Sequence, residues 1–135
     1  MNINIQTDWI SDKVCVISLS RLFIVTLARQ LDDMVEIKEK RIILKEHGTE
    51  LRFSVERDNF FVDTSPKVIS IYADYSIILN LSSSLKSFLF YEDHREDAYT
   101  NRLDISLELY GATFMPNSVK DVVIENIQTK HLKSL

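Results

Sequence analysis

The sequence predicts an α+β fold: an antiparallel sheet of about five to six strands, with two longer helices and one short helix packed mainly on one face. Three observations predict it. Leu19, Phe23, Leu27, Leu31 and Met34 recur at helical spacing in one early segment. Leu51, Phe53 and Val55, and later Leu103, Ile105, Leu107 and Leu109, alternate with polar residues as half-buried strands do. Turn residues punctuate the chain between these segments at His47-Gly48-Thr49, Ser65-Pro66, Gly111 and Pro116-Asn117-Ser118.

Taken in order, Ile3, Ile5 and Trp9 alternate with polar residues. Ser11-Asp12-Lys13 can turn, and Val14 to Ile17 can pair back as a hairpin. From Leu19 the period changes to that of a helix over 19–38. Leu22 widens its apolar stripe; Arg21, Arg29, Asp32, Asp33 and Glu36 occupy the other side, and Ser18 or Ser20 caps it. Phe23-Ile24-Val25-Thr26 within it nevertheless carries strand-like propensity. Arg41 to Lys45 and Leu51 to Arg57 form a hairpin, Arg57-Asp58-Asn59 turns, and Phe60 to Asp63 returns as a strand.

Val68 to Ala73 and Ile77 to Leu81 are further strands. Ser82-Ser83-Ser84 reads as the cap of a short helix carrying Leu85, Phe88 and Leu89. After a polar stretch, the strand at Leu103 to Leu109 ends at Gly111. A last helix then begins at Ser118, with Asp121 three residues on and a stripe of Val119, Val122, Val123 and Ile127. Lys130, His131 and Lys133 at its end suit the helix dipole. No repeat, linker or low-complexity tract is visible, and residues 1–135 read as one domain.

Composition excludes several chemistries. The chain has two glycines, Gly48 and Gly111, where an average protein of this length carries about nine. Phosphate-cradling loops and nucleophile elbows need glycine where the backbone crowds a ligand. Cys15 is the single cysteine, so no disulfide framework or clustered zinc site is expected. The net charge is −4, and no basic run exceeds Lys38 to Arg41, which disfavours nucleic-acid and anionic-membrane binding. The most apolar stretch, Val14 to Ala28, is too short to span a bilayer and has Arg21 at its centre, so the sequence reads as soluble and cytoplasmic.

Short motifs carry little chemistry in this context. His94-Arg95-Glu96 matches half of a zinc deaminase signature, but the Pro-Cys-x-x-Cys half is missing. Glu36-Ile37-Lys38 has the spacing of some metal-dependent nucleases, which place the pair on a strand; here it falls near the end of a helix. Glu92 to Asp97 lacks the alternation and the glycine of a calcium loop. Cys15 sits in an apolar run and reads as a buried small hydrophobe. No catalytic residue, metal or cofactor is assigned. An enzyme or ligand binder would have to assemble its site from distant residues, with His94, Glu96, Tyr99 and Cys15 as candidates.

One segment stands apart. From Glu92 to Glu108, six acidic residues against two arginines give −4, equal to the net charge of the chain. The expected partner-binding residues are Tyr91, Glu92, Asp93, Glu96, Asp97, Tyr99, Asp104, Glu108 and Tyr110. Tyrosines supply anchoring area, while carboxylates steer a basic partner. The plain reading of the same residues is a solvated loop and the charged face of an edge strand. With reactive motifs lacking, the leading expectation is a small protein-binding protein, an immunity protein or inhibitor that blocks the cleft of a basic, nuclease-like toxin.

In size, acidity and approximate element order (helix, three strands, helix, strands, helix) the chain also resembles the type III secretion chaperones over most of its length. That resemblance is architectural and rests on no motif. It implies a dimer that binds an extended segment of an effector. The N-terminal hairpin, and one good strand where two are expected between the last helices, depart from it.

Overall fold

A computed structural model describes residues 1–7, 13–57, 60–94, 102–106, 119 and 121–127. The N-terminal segment is a hairpin, as its alternation predicts. β1 (Asn2–Thr7) pairs antiparallel with β2 (Lys13–Leu19), placing Ile3 opposite Ile17 and Ile5 opposite Cys15. Cys15, Ile17 and Leu19 point into the core and are fully buried. α1 (Arg21–Glu36) follows at once. The Ser20 hydroxyl accepts the N–H of Phe23 at 3.2 Å, and Ile24, Leu27, Ala28, Leu31 and Met34 form its buried stripe. The β-branched residues at its start are helical because that stripe gains more by burial than propensity withholds.

β3 (Arg41–Glu46) and β4 (Thr49–Val55) form the expected hairpin. Its two loop residues, His47 and Gly48, have φ of 50° and 80°, and positive φ at both is what a type I′ loop requires to match strand twist. β5 (Phe61–Thr64) and β6 (Val68–Ala73) pair antiparallel across Ser65-Pro66-Lys67, where Ser65 N–H bonds to the Val68 carbonyl at 2.9 Å. α2 (Tyr75–His94) is the longest element, and β7 (Arg102–Ser106) and β8 (Asp121–Asn126) close the order.

Three expectations are corrected. The strand at Ile77 to Leu81 and the short helix at 85–89 are one helix of 20 residues. Its cap is Asp74, whose carboxylate accepts the N–H of Ile77 at 2.9 Å, while Ser82 lies mid-helix. Ile78, Leu81, Leu85 and Leu89 are buried at helical spacing. The run Ile77-Ile78-Leu79 has strand propensity, but packing against α1 decides the outcome. The helix expected after Ser118 is instead the strand β8, in which Val122, Val123 and Ile124 are all buried. Val123 is buried among its neighbours on the outer face, so Val122-Val123-Ile124 is a continuous apolar run without the alternation that would reveal a strand. Lys130, His131 and Lys133 lie outside the described residues.

The third correction concerns the sheet. There are two four-stranded mixed sheets, in the orders β1-β2-β8-β7 and β3-β4-β6-β5, and two helices among the described residues. In each sheet the outer pairs are antiparallel hairpins and the central pair is parallel: β2 with β8, and β4 with β6. The β1-β2 and β3-β4 hairpins are local and legible; the parallel pairs join strands that are not consecutive in the chain, and no turn announces them.

The two helices run antiparallel. At the start of α2 the Tyr75 hydroxyl donates to the Glu39 carbonyl beyond the end of α1, at 3.1 Å, and Lys38 Nζ lies 4.7 Å from the Tyr75 ring centre. Further along, Ser82 reaches back to Ala28 and Asp32 in the middle of α1. One hydrophobic core unites both sheets and both helices.

The element order divides into two equal plans. β1-β2-α1-β3-β4 and β5-β6-α2-β7-β8 are each strand-strand-helix-strand-strand, and each sheet takes one hairpin from each plan.

Candidate functional site

The acidic segment falls on the end of α2, the connection after it, and β7. Tyr91, Glu92 and Asp93 belong to the last turns of α2, where only the backbone is described. Glu96, Asp97, Tyr99, Glu108 and Tyr110 lie outside the described residues. Asp104 is placed: it is exposed on β7, the edge strand of the first sheet, with Val123 as its neighbour on β8. Alternation sends Leu103 and Ile105 toward the core and leaves Arg102 and Asp104 outward. Arg102 is held by Glu125 at 2.8 Å, and the Ser18 hydroxyl donates to the same carboxylate at 3.3 Å, a three-strand network on the outer face.

The other singled-out residues fall at separate places in the fold where they are described. Cys15 is fully buried in β2, as expected of a small hydrophobe, and burial pushes its thiol up to about 12, which favours the protonated form at neutral pH. Glu36 ends α1 and Lys38 adopts φ of 59° just beyond it, engaging the Tyr75 ring; the pair sits on no strand. His94 closes α2, and its side chain, with Arg95 and Glu96, is outside the described set. Among the described residues no three His, Cys, Asp or Glu side chains gather as a metal site. Of the phenylalanines at 60 and 61, Phe60 faces inward and is buried.

One polar cluster escaped the sequence reading. Between the helices, the Ser82 hydroxyl, itself fully buried, donates to Asp32 at 2.6 Å with the Ala28 carbonyl 3.1 Å away, and Lys86 forms an ion pair with Asp32. Burial pushes the Asp32 carboxyl up, yet hydrogen bonds from Lys86 and Ser82, with the ammonium charge, outweigh it and hold the group below its ordinary value. The available signal was a small polar residue interrupting the apolar stripe Ile78, Leu81, Ser82, Leu85. With the hydroxyl sealed between helices, the cluster serves packing: small residues at 28 and 82 let the helix backbones approach. An apolar cavity of about 20 Å³, lined by Ile17, Leu31, Leu51 and Phe53 among others, lies at the centre of the core. It has room for about one water but offers no polar partner to hold it.

No helix among the described residues is long and apolar enough to cross a bilayer. No protein-family model matches the chain, and no curated protein and no solved structure is significantly similar to it.

Proposed function

We propose that this chain is a small acidic binding protein, an inhibitor of the immunity-protein kind, that neutralises a basic partner protein by covering its active cleft. The observation that carries the reading is a coincidence of charge and architecture. The two plans of the fold differ in their connections. Between helix and third strand the first uses four residues (37–40) and the second seven (95–101); between the last two strands the first uses two (47–48) and the second fourteen (107–120). Of the six acidic residues at 92–108, Glu92 and Asp93 lie at the end of α2, Asp104 lies on β7, and Glu96, Asp97 and Glu108 fall in the two longer intervals of the second plan.

Carboxylates there would stand where a nuclease holds phosphates, and Tyr91, Tyr99 and Tyr110 would supply buried contact area. Such a device needs a rigid scaffold and no catalytic group. Charge complementarity of this kind sets the association rate and falls with salt.

The test is capture of partners by the folded protein at low and moderate salt, followed by the same capture with Asp93→Asn, Glu96→Gln, Asp97→Asn, Asp104→Asn and Glu108→Gln combined. A near-stoichiometric basic partner that weakens with salt and is lost by the neutralised variant supports the reading. A partner kept by that variant with unchanged salt dependence overturns it, as does the lack of any partner at either salt. An effector segment captured by a dimer would favour the chaperone alternative.

A further inference from the structure

The two plans correspond well beyond their order of elements, which corrects the expectation of a chain without a repeat: the identities are too few, six in nineteen aligned positions, to stand out before the fold supplies the alignment. Residues 13–31 lie on 67–85 without a gap, and Lys13, Val14, Ile17, Ile24, Leu27 and Leu31 meet identical residues at 67, 68, 71, 78, 81 and 85. The sheet registers obey the same correspondence. Leu51 pairs with Ile69 and Phe53 with Ile71; their counterparts Val122 and Ile124 pair with Cys15 and Ile17. The irregular hydrogen bonds repeat as well: Glu56 N–H to the Ala73 carbonyl at 2.9 Å answers Ile127 N–H to the Leu19 carbonyl at 3.0 Å.

We infer that the chain is two copies of one strand-strand-helix-strand-strand unit, joined head to tail and interlaced about a twofold axis that passes between α1 and α2. It is built as a homodimer of half-length chains would be. Ala28 and Ser82 are counterparts that meet at this axis, and so are Asp32 and Lys86. In a true homodimer, position 32 would face its own copy, carboxylate against carboxylate or ammonium against ammonium. Placing Asp in one unit and Lys in the other turns that repulsion into an ion pair and commits the helices to pairing unlike with unlike. Because each sheet holds a hairpin from each unit, neither unit can open while the other stays folded.

The inference makes the four residues at the axis exchangeable as a set. In the full chain, Ala28→Ser, Asp32→Lys, Ser82→Ala and Lys86→Asp together rebuild the cluster rotated by half a turn, and the midpoint of thermal unfolding is expected within about 3 °C of the parent. Ala28→Ser with Asp32→Lys alone sets two lysines against each other, and should lower the midpoint by about 5 °C or more. A full exchange as destabilised as the half exchange overturns the proposal. Native-state hydrogen exchange on the unaltered chain tests it without substitution. The counterpart amides of Glu56 and Ile127, and of Ile24 and Ile78, should show protection within about tenfold of each other, through one global opening. Protection differing by a hundredfold or more between the two units would overturn it.

Discussion

Ser20 and Asp74 do the same work in the two units of the fold. Each is the residue before a helix, and each side-chain oxygen accepts the N–H three positions on, at 3.2 Å from Phe23 and 2.9 Å from Ile77. Ser20→Ala and Asp74→Ala should each cost about 1 kcal/mol, and the double variant the sum, since the caps are separate. Urea unfolding followed by far-UV circular dichroism measures both.

Leu31 is fully buried on α1 and lines the central cavity. Leu31→Ala enlarges an existing void and should cost about 2–5 kcal/mol. The shift in denaturation midpoint at constant m-value gives the number directly.

Gly48 has φ of 80° with nothing within 4 Å of where a Cβ would stand. Gly48→Ala therefore costs backbone strain without a clash, about 1 kcal/mol, and Gly48→Asn, which tolerates this conformation, should cost less. Comparing the two by thermal melts separates strain from crowding.

Cys15 carries a thiol that burial holds at about 12, above its ordinary 9.0. The unfolded chain gives up this proton first, so stability is full below about pH 9 and declines as pH rises toward 12. Cys15→Ala should flatten that alkaline decline. In the native state at pH 8 the thiol should resist an alkylating reagent that labels it promptly in denaturant.

Asp32 moves in the opposite sense. Its folded value lies below the ordinary one, so its contribution is present above the usual carboxylate pKa near 3.9 and is lost as pH falls through the lower, folded value. Asp32→Asn should flatten the acid limb of the stability curve and remove the ion pair with Lys86. Unfolding free energy measured from pH 2 to 6 for parent and variant tests this.

The sequence alone determined the class of fold and most of its local pieces. Alternation at Ile3 and Ile5, at Leu51 to Val55 and at Leu103 and Ile105 produced strands, and the spacing of Leu27, Leu31 and Met34 produced α1, because each pattern must bury one face. Leu19, read as the start of that stripe, belongs to β2, and Leu22 is exposed. The burial of Cys15 was legible for the same reason. Where burial is not one-sided, the pattern fell silent: β8 buries three consecutive residues, Val122, Val123 and Ile124, and the start of α2 carries the β-branched residues of a strand. Of the expected binding residues, Asp104 stands exposed on its edge strand, and Glu96, Asp97, Tyr99, Glu108 and Tyr110 lie beyond the described set.

Tertiary structure decided the rest. The parallel pairing of β2 with β8 and β4 with β6, and the meeting of Asp32 with Lys86, join residues from about 20 to more than 100 positions apart. Apolar periodicity specifies which face of an element is buried, never which distant element will cover it. That choice belongs to the whole chain, which closes both sheets over one core only when the two units interlace.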